Sequence, residues 1–121
     1  MRNPWFIEPS IAASTTKQSP GSFPLIRART VSITVRLTCG AALNADPVVN
    51  VYYSPDAETF DTAAFATFTM ARSAGNVIQA TKQIDPPEHG FFAISIQNAS
   101  AADVITAVKT WYSIQSWPGD R

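Results

Sequence analysis

The chain has one cysteine and one histidine among its 121 residues, and this scarcity excludes several kinds of site. Cys39 has no partner for an internal disulfide, and its position in an alternating pattern predicts a buried, unreactive thiol. His89 lies in a proline-rich loop, which indicates a solvated side chain rather than a catalytic base. Neither residue belongs to a pattern with zinc-ligand spacing. We therefore predict a protein that is not an enzyme, with no catalytic residue, no cofactor-binding residue, no metal ligand and no small-molecule substrate.

Charged side chains are also scarce, at 15% of the chain, and the net charge is zero. Proteins that bind bare nucleic acid usually carry a basic excess, so we expect no nucleic-acid partner. No segment approaches the roughly 20 apolar residues of a membrane-spanning helix, so no membrane partner is expected. The first nine residues lack the apolar core of a secretory signal, which predicts a chain made and kept in a cytoplasm, or released from it by another route. A surface with few charges is poorly protected against association, as suits a subunit of an assembly.

The charges that are present are divided unevenly along the chain. Residues 1–40 hold five basic and one acidic residue, a net charge of +4, whereas residues 41–121 hold four basic and eight acidic residues, a net charge of −4. With so few charges, this division can arise by chance. It also fits a basic front end that meets an acidic body, in the same chain or in a neighbour.

An unbroken alternation of apolar and polar residues over 30–39 is the strongest structural pattern in the sequence. Val31, Ile33, Val35, Leu37 and Cys39 alternate with polar residues. Because successive side chains of a strand point to opposite faces, this pattern predicts a strand with one buried face and one solvated face. Two-faced strands are typical of antiparallel sheets that are packed on one side only.

Similar segments continue to the C-terminus, with turn residues between them. They predict further strands over 49–53, 65–70, 77–84, 91–98 and 104–116, and a helix over 56–67 is a weaker alternative. The fold class is therefore all-β, a single β-sandwich or jelly roll of six to eight mostly antiparallel strands. We expect its core to include Ile33, Val35, Leu37, Val51, Phe68, Phe92, Ile94 and Ile96.

Residues 1–24 are predicted to form an extended N-terminal arm, followed by the sandwich domain over 25–117 and a short tail over 118–121. Four prolines and a run of small polar residues make the arm too polar to order itself. Trp5, Phe6 and Ile7 nevertheless form an apolar cluster near its start. This cluster either folds back onto its own domain or docks on a neighbouring subunit.

The last predicted strand is apolar on both faces. Ile105, Ala107 and Trp111 share one parity, and Val104, Val108, Tyr112 and Ile114 share the other. Such a strand must be covered on both sides, by its own chain or by another one. We therefore predict Trp111 and the nearby Trp117, together with the cluster in the arm, as interface residues.

Two weaker patterns leave alternatives open. Asp56, Glu58 and Asp61 follow the second strand, and carboxylates at this spacing either form a solvated turn, contact a basic partner or bind calcium. Tyr52 with Asn50 is an aromatic and amide pair of the kind that a glycan-binding or adhesive module requires. That module is the alternative to a structural subunit.

The segment from Tyr52-Tyr53-Ser54-Pro55-Asp56 to Thr59-Phe60-Asp61-Thr62 resembles a turn found in small β-sandwich structural proteins of bacteriophage particles and in some carbohydrate-binding modules. The opening Asn3-Pro4-Trp5-Phe6-Ile7, leading into Ser10–Ser14, resembles the aromatic arm of such proteins. Ala57 and Phe60 stand where these turns usually have glycine and tryptophan. The resemblance implies a virion component, either a capsid decoration protein or a head- or tail-associated subunit. It implies a protein made in a host cytoplasm that contacts copies of itself and another virion protein.

Overall fold

The computed structural model describes residues 3–19 and 21–117, and within them it shows an all-β protein without a helix. The strands are β1 (Asn3–Ile11), β2 (Thr16–Gln18), β3 (Phe23–Ile26), β4 (Ala28–Cys39), β5 (Val48–Ser54), β6 (Ala66–Thr69), β7 (Val77–Ile84), β8 (His89–Gln97) and β9 (Ile105–Ser116). The predicted fold class is confirmed, and the region 56–67 is a loop leading into β6 rather than a helix. No helix in the described residues could cross a membrane.

The strands form two antiparallel sheets with a jelly-roll order. The first sheet has the order β1-β9-β4-β7, and the second has the order β2-β8-β5-β6, with β3 also paired to β8. β2 pairs with the end of β8 and β3 with its beginning, so the two short strands follow one another along the same edge of β8. The nine strands of the described part of the chain therefore occupy eight positions, four in each sheet, and consecutive strands mostly cross from one sheet to the other.

The alternation in β4 places its apolar residues in the core between the sheets. Every second residue from Val31 to Cys39 is buried, which confirms the predicted face of this strand and the buried thiol. Seven of the eight predicted core residues are fully buried. Phe68 is only partly buried, because β6 is a short strand at the edge of its sheet, and Met70 after it is buried instead.

An aromatic cluster joins the two sheets. Phe23 stacks on Tyr112 of the first sheet with ring centroids 4.0 Å apart, and it contacts Phe92 of its own sheet edge-on at 6.0 Å. Tyr53 packs against Phe92 and donates a hydrogen bond to the carbonyl of His89 over 2.8 Å. Gly90 has a φ of 120°, and a Cβ there would lie 2.5 Å from the Tyr53 ring, so this position requires glycine.

A β-bulge in β9 corrects the predicted faces of the last strand. Lys109 pairs with Arg36 and Thr106 with Thr38, so β9 has one extra residue in this interval, where Ala107 adopts a φ of 53°. The extra residue reverses the alternation. Ile105 therefore faces the core, as Val108 does, and does not share a face with Trp111 as the sequence pattern predicted.

The predicted arm supplies three strand segments to the same chain. β1 pairs with β9, β2 pairs with β8, and β3, which begins inside the arm, also pairs with β8. Ile11 at the end of β1 and Phe23 and Leu25 of β3 are buried, so this region also contributes side chains to the core. The predicted tail, 118–121, lies outside the described residues.

Candidate functional site

The predicted interface cluster lies in β1, at one edge of the first sheet. Pro4 is opposite Trp111, Phe6 is opposite Thr110 and Ile7 is opposite Lys109. Trp5 falls at a register shift, between the Pro4 and Phe6 pairs. The side chains of Trp5, Phe6 and Ile7 lie outside the described residues. The backbone therefore brings the predicted arm cluster and Trp111 to the same edge of the sheet.

Trp111 lies on the outer face of the first sheet, on the side away from the core. Its neighbour Tyr112 faces the core, as two adjacent residues of one strand must alternate. The guanidinium carbon of Arg36 lies 5.0 Å from the centre of the Trp111 ring, which is a cation–π distance. Arg36 Nε also donates a hydrogen bond of 2.9 Å to Gln79 Oε1. Among the side chains that the structure describes, Trp111 is thus a half-buried aromatic ring on this outer face, in contact with Arg36.

Trp117 lies beyond the end of β9 and does not join this group. It is six positions after Trp111, about 20 Å along an extended chain. Its ring is 44% exposed, lies 5.6 Å from the Arg29 guanidinium carbon, and lines a shallow groove of about 400 Å³ with Asp85 and Glu88. The structure therefore divides the five predicted interface residues between two places.

A short turn connects β1 to the rest of the chain. It runs from Ala12 to Thr15, and Ser14 adopts a φ of 58°, in the left-handed region that non-glycine residues rarely occupy. The buried Asn98 holds the start of this turn, because its Nδ2 donates hydrogen bonds to the carbonyls of Ile11 and Asp103. We call residues 12–15 the β1 hinge.

The second sheet carries a cleft of about 540 Å³ on its outer face. Its floor includes Tyr52 of β5 and Ala93 of β8, which are directly opposite one another in the strand pairing. One wall is the connection between β2 and β3, with Gln18, Ser19, Gly21 and Ser22. The other wall is the loop after β5, with Ala57, Phe60, Asp61 and Thr62. We call this feature the outer cleft.

Internal hydrogen bonds fix the backbone of both walls. Ser19 Oγ donates to the Gly21 carbonyl over 2.7 Å and accepts from the Ile94 N–H over 3.2 Å. On the opposite side, the Asp61 N–H donates to the Tyr53 carbonyl over 2.9 Å. Of the predicted aromatic and amide pair, Tyr52 lies in the outer cleft. Asn50, two residues earlier in β5, does not line the cleft, and its side-chain oxygen accepts a hydrogen bond from the Thr67 hydroxyl.

The carboxylates after β5 have separate roles. Asp56 Oδ1 accepts hydrogen bonds from the N–H groups of Glu58 and Thr59 and from the Ser54 hydroxyl. These bonds, the one from Glu58 foremost, hold the pKa of Asp56 below its ordinary value because they stabilise the ionised form. Asp61 lines the outer cleft instead. Within the described residues, no group of three or more His, Cys, Asp and Glu side chains could hold a metal ion.

Ala57 occupies a glycine-type conformation in this turn, with a φ of 65°. We expect Ala57→Gly to raise the free energy of unfolding by several tenths to about 1 kcal/mol, because glycine relieves the left-handed strain but loses more entropy on folding. Guanidinium denaturation would measure the change. Ala63→Gly in the same loop is the control and should be neutral or destabilising, since Ala63 is not among the residues with positive φ. A loss of stability in Ala57→Gly would contradict the assignment of strain.

Sequence reasoning missed most of the outer cleft. The sequence predicts Tyr52 and the turn with Asp61 as features of interest, whereas it predicts Gln18 and Ser19 only as part of the N-terminal arm. The aromatic Phe60 in the turn was the available signal for one wall. The other wall depends on the pairing of β2 with β8, for which the local sequence holds no signal.

Comparison with known proteins shows the fold alone. No protein-family profile and no curated protein sequence matches the chain. A similar solved structure is that of a family GH115 4-O-methyl-α-glucuronidase with specificity for decorated arabinogalactans; it is 12% identical and superposes with a TM-score of 0.54. The match covers 88% of this chain but 14% of that enzyme, so the chain corresponds to a small part of it.

Proposed function

We propose that this chain is a non-enzymatic structural subunit of a bacteriophage particle, a capsid decoration or head- or tail-associated protein that assembles with copies of itself and contacts another virion protein. The resemblance of the turn and the opening segment to phage structural proteins supports the virion setting. The jelly roll is compatible with it, because viral capsid domains use this fold, although lectin domains use it too.

The observation that carries the assembly proposal is the position of β1. Among the described strands, β1 is the end strand of its sheet and pairs with β9 alone, and it is followed by the strained β1 hinge. A short hinge under strain favours strand exchange, because the same backbone pairs can form with β9 of another copy while the hinge extends. Each subunit would then complete the first sheet of its neighbour.

The surface around this edge fits a contact between copies. Trp111 lies next to β1 with its ring half-buried, and large aromatic side chains are typical anchors of protein interfaces. The positive first 40 residues and the negative remainder would attract one another between subunits. This attraction would guide encounter more than it would strengthen the final complex.

The size of the purified protein tests the proposal of an assembling subunit. We expect sedimentation velocity and negative-stain images to show closed oligomers or filaments at micromolar concentration. A chain that sediments as a monomer at every concentration would contradict it.

A pair of cysteines tests whether β1 pairs within one chain or between chains. Ser10 and Thr106 are directly opposite one another in the β1–β9 pairing, so Ser10→Cys with Thr106→Cys places two thiols at disulfide distance. After mild oxidation, we expect covalent dimers and longer ladders on a non-reducing gel. Ser10→Cys alone is the control, and Cys39 is buried and should not interfere. Quantitative disulfide formation within monomers would contradict strand exchange.

A further inference from the structure

We propose that the outer cleft binds a neutral oligosaccharide. This function is separate from assembly, because the cleft lies on the second sheet whereas β1 and Trp111 belong to the first. The observation behind it is a concave site that combines aromatic rings with polar side chains that have no hydrogen-bond partner in the described chain.

The shape and the apolar surface of the cleft fit a sugar ring. Its volume of about 540 Å³ falls within the range of small-molecule sites, about 300–1,000 Å³. Tyr52 is half-buried in the floor, and its cross-strand neighbour Ala93 is small enough to leave space beside the ring. Phe60 adds a second aromatic side chain from the loop wall. Aromatic rings offer flat apolar surfaces on which the C–H face of a pyranose can pack.

The polar groups of the cleft are available to a ligand. Gln18 and Thr62 lie on opposite walls, and Asp61 is next to Thr62. None of these three side chains, nor the Tyr52 hydroxyl, takes part in a hydrogen bond within the described chain. An amide, a hydroxyl, a phenol and a carboxylate together provide both donors and acceptors. That mixture matches the hydroxyl groups of a sugar, each of which donates and accepts.

The charge of the lining selects against anionic ligands. Asp61 is the acidic residue among those that line the cleft, and no lysine, arginine or histidine lines it. A phosphate or a uronate would meet a like charge without a compensating cation. A carboxylate can instead accept hydrogen bonds from two neighbouring hydroxyl groups of an uncharged sugar. The ligand class is therefore neutral and polyhydroxylated.

The walls are held in place before a ligand binds. Ser19 fixes one wall to β8 and the Asp61 backbone fixes the other to β5, as described above. A site whose backbone is already ordered loses less conformational entropy on binding. Gln18, Asp61 and Thr62 are exposed at the rim, where they can adjust to the ligand.

Affinity gel electrophoresis with soluble polysaccharides tests the proposal. The probes are dextran, galactan and mixed-linkage β-glucan as neutral polymers, with polygalacturonate as the anionic comparison. We expect at least one neutral polymer to retard the full chain and polygalacturonate to leave it unaffected. Calorimetry with an oligosaccharide of the retarding polymer should give an affinity that Tyr52→Ala weakens at least about tenfold. Tyr52→Phe, which keeps the ring, should weaken it less.

A matched pair of charge variants provides the second measurement. Asp61→Asn should weaken binding, whereas Glu58→Gln should leave it unchanged, because Glu58 is exposed in the same loop but does not line the cleft. If Tyr52→Ala fails to fold, this pair of variants tests on its own whether the outer cleft binds the oligosaccharide. Absence of binding to all three neutral polymers would overturn the proposal. So would wild-type affinity in a folded Tyr52→Ala, or equal effects of Asp61→Asn and Glu58→Gln. Sedimentation of Tyr52→Ala should match the wild type, which keeps this test independent of assembly.

Discussion

Leu37→Ala should lower the free energy of unfolding by about 2–5 kcal/mol. Leu37 is fully buried in the middle of the core and is paired with Ile78 of β7. Its removal loses the transfer free energy of the side chain and leaves a cavity that the two packed sheets cannot close. Because domains of this size are stabilised by only about 5–15 kcal/mol, the variant should unfold at a much lower guanidinium concentration.

Val77→Ala is the matched control for this experiment. Val77 begins the neighbouring strand but is 61% exposed, so its truncation should change the free energy of unfolding by less than about 0.5 kcal/mol. Equal, small effects of the two substitutions would show that the inner face of β4 is assigned incorrectly.

The core could be predicted from the sequence because it depends on a local pattern. In β4, apolar and polar residues alternate without interruption, so the buried face follows from the geometry of a strand. The same reasoning worked for the apolar residues of β8, where Phe92, Ile94 and Ile96 are buried. These positions needed no knowledge of which strands are neighbours.

The faces of β9 could not be predicted in the same way. The bulge at Ala107 inserts one residue into the alternation, so Ile105 and Val108 both face the core. Nothing in the local sequence identifies Ala107 as a residue with a positive φ. The bulge is imposed by pairing with β4, which is distant in sequence, and a local pattern cannot contain that information.

The candidate sites also depend on pairing between distant segments. The outer cleft combines Gln18, Tyr52, Asp61 and Ala93, which come from four separate parts of the chain. The composition of residues 1–24 indicated an unordered arm, yet backbone hydrogen bonds place β1 and β2 on two different sheets. The charge and aromatic content of the sequence indicate binding or assembly. Where the charged and aromatic residues lie relative to one another can be seen only in the folded structure.

Deletion of residues 1–9 should abolish assembly and leave a chain that sediments as a monomer. The deletion removes five of the seven register pairs between β1 and β9, including those of Phe6, Ile7 and Glu8. If β1 completes the sheet of a neighbour, the truncated chain has no strand to donate. The remaining strands keep the core around β4, so the β-sheet circular dichroism signal should persist, with a lower melting temperature.

A synthetic peptide of residues 1–9 separates strand donation from a general loss of stability. We expect this peptide to restore the melting temperature of the truncated chain without restoring assembly, because the added strand is not joined to another subunit. The control peptide carries Ile7→Pro and Glu8→Pro. In a strand paired on one side, alternate N–H groups point to the partner, so two consecutive prolines remove at least one hydrogen bond to β9. Assembly of the truncated chain at wild-type concentration would contradict strand exchange. Unfolding that the peptide cannot reverse would mean that β1 belongs to the core of its own chain.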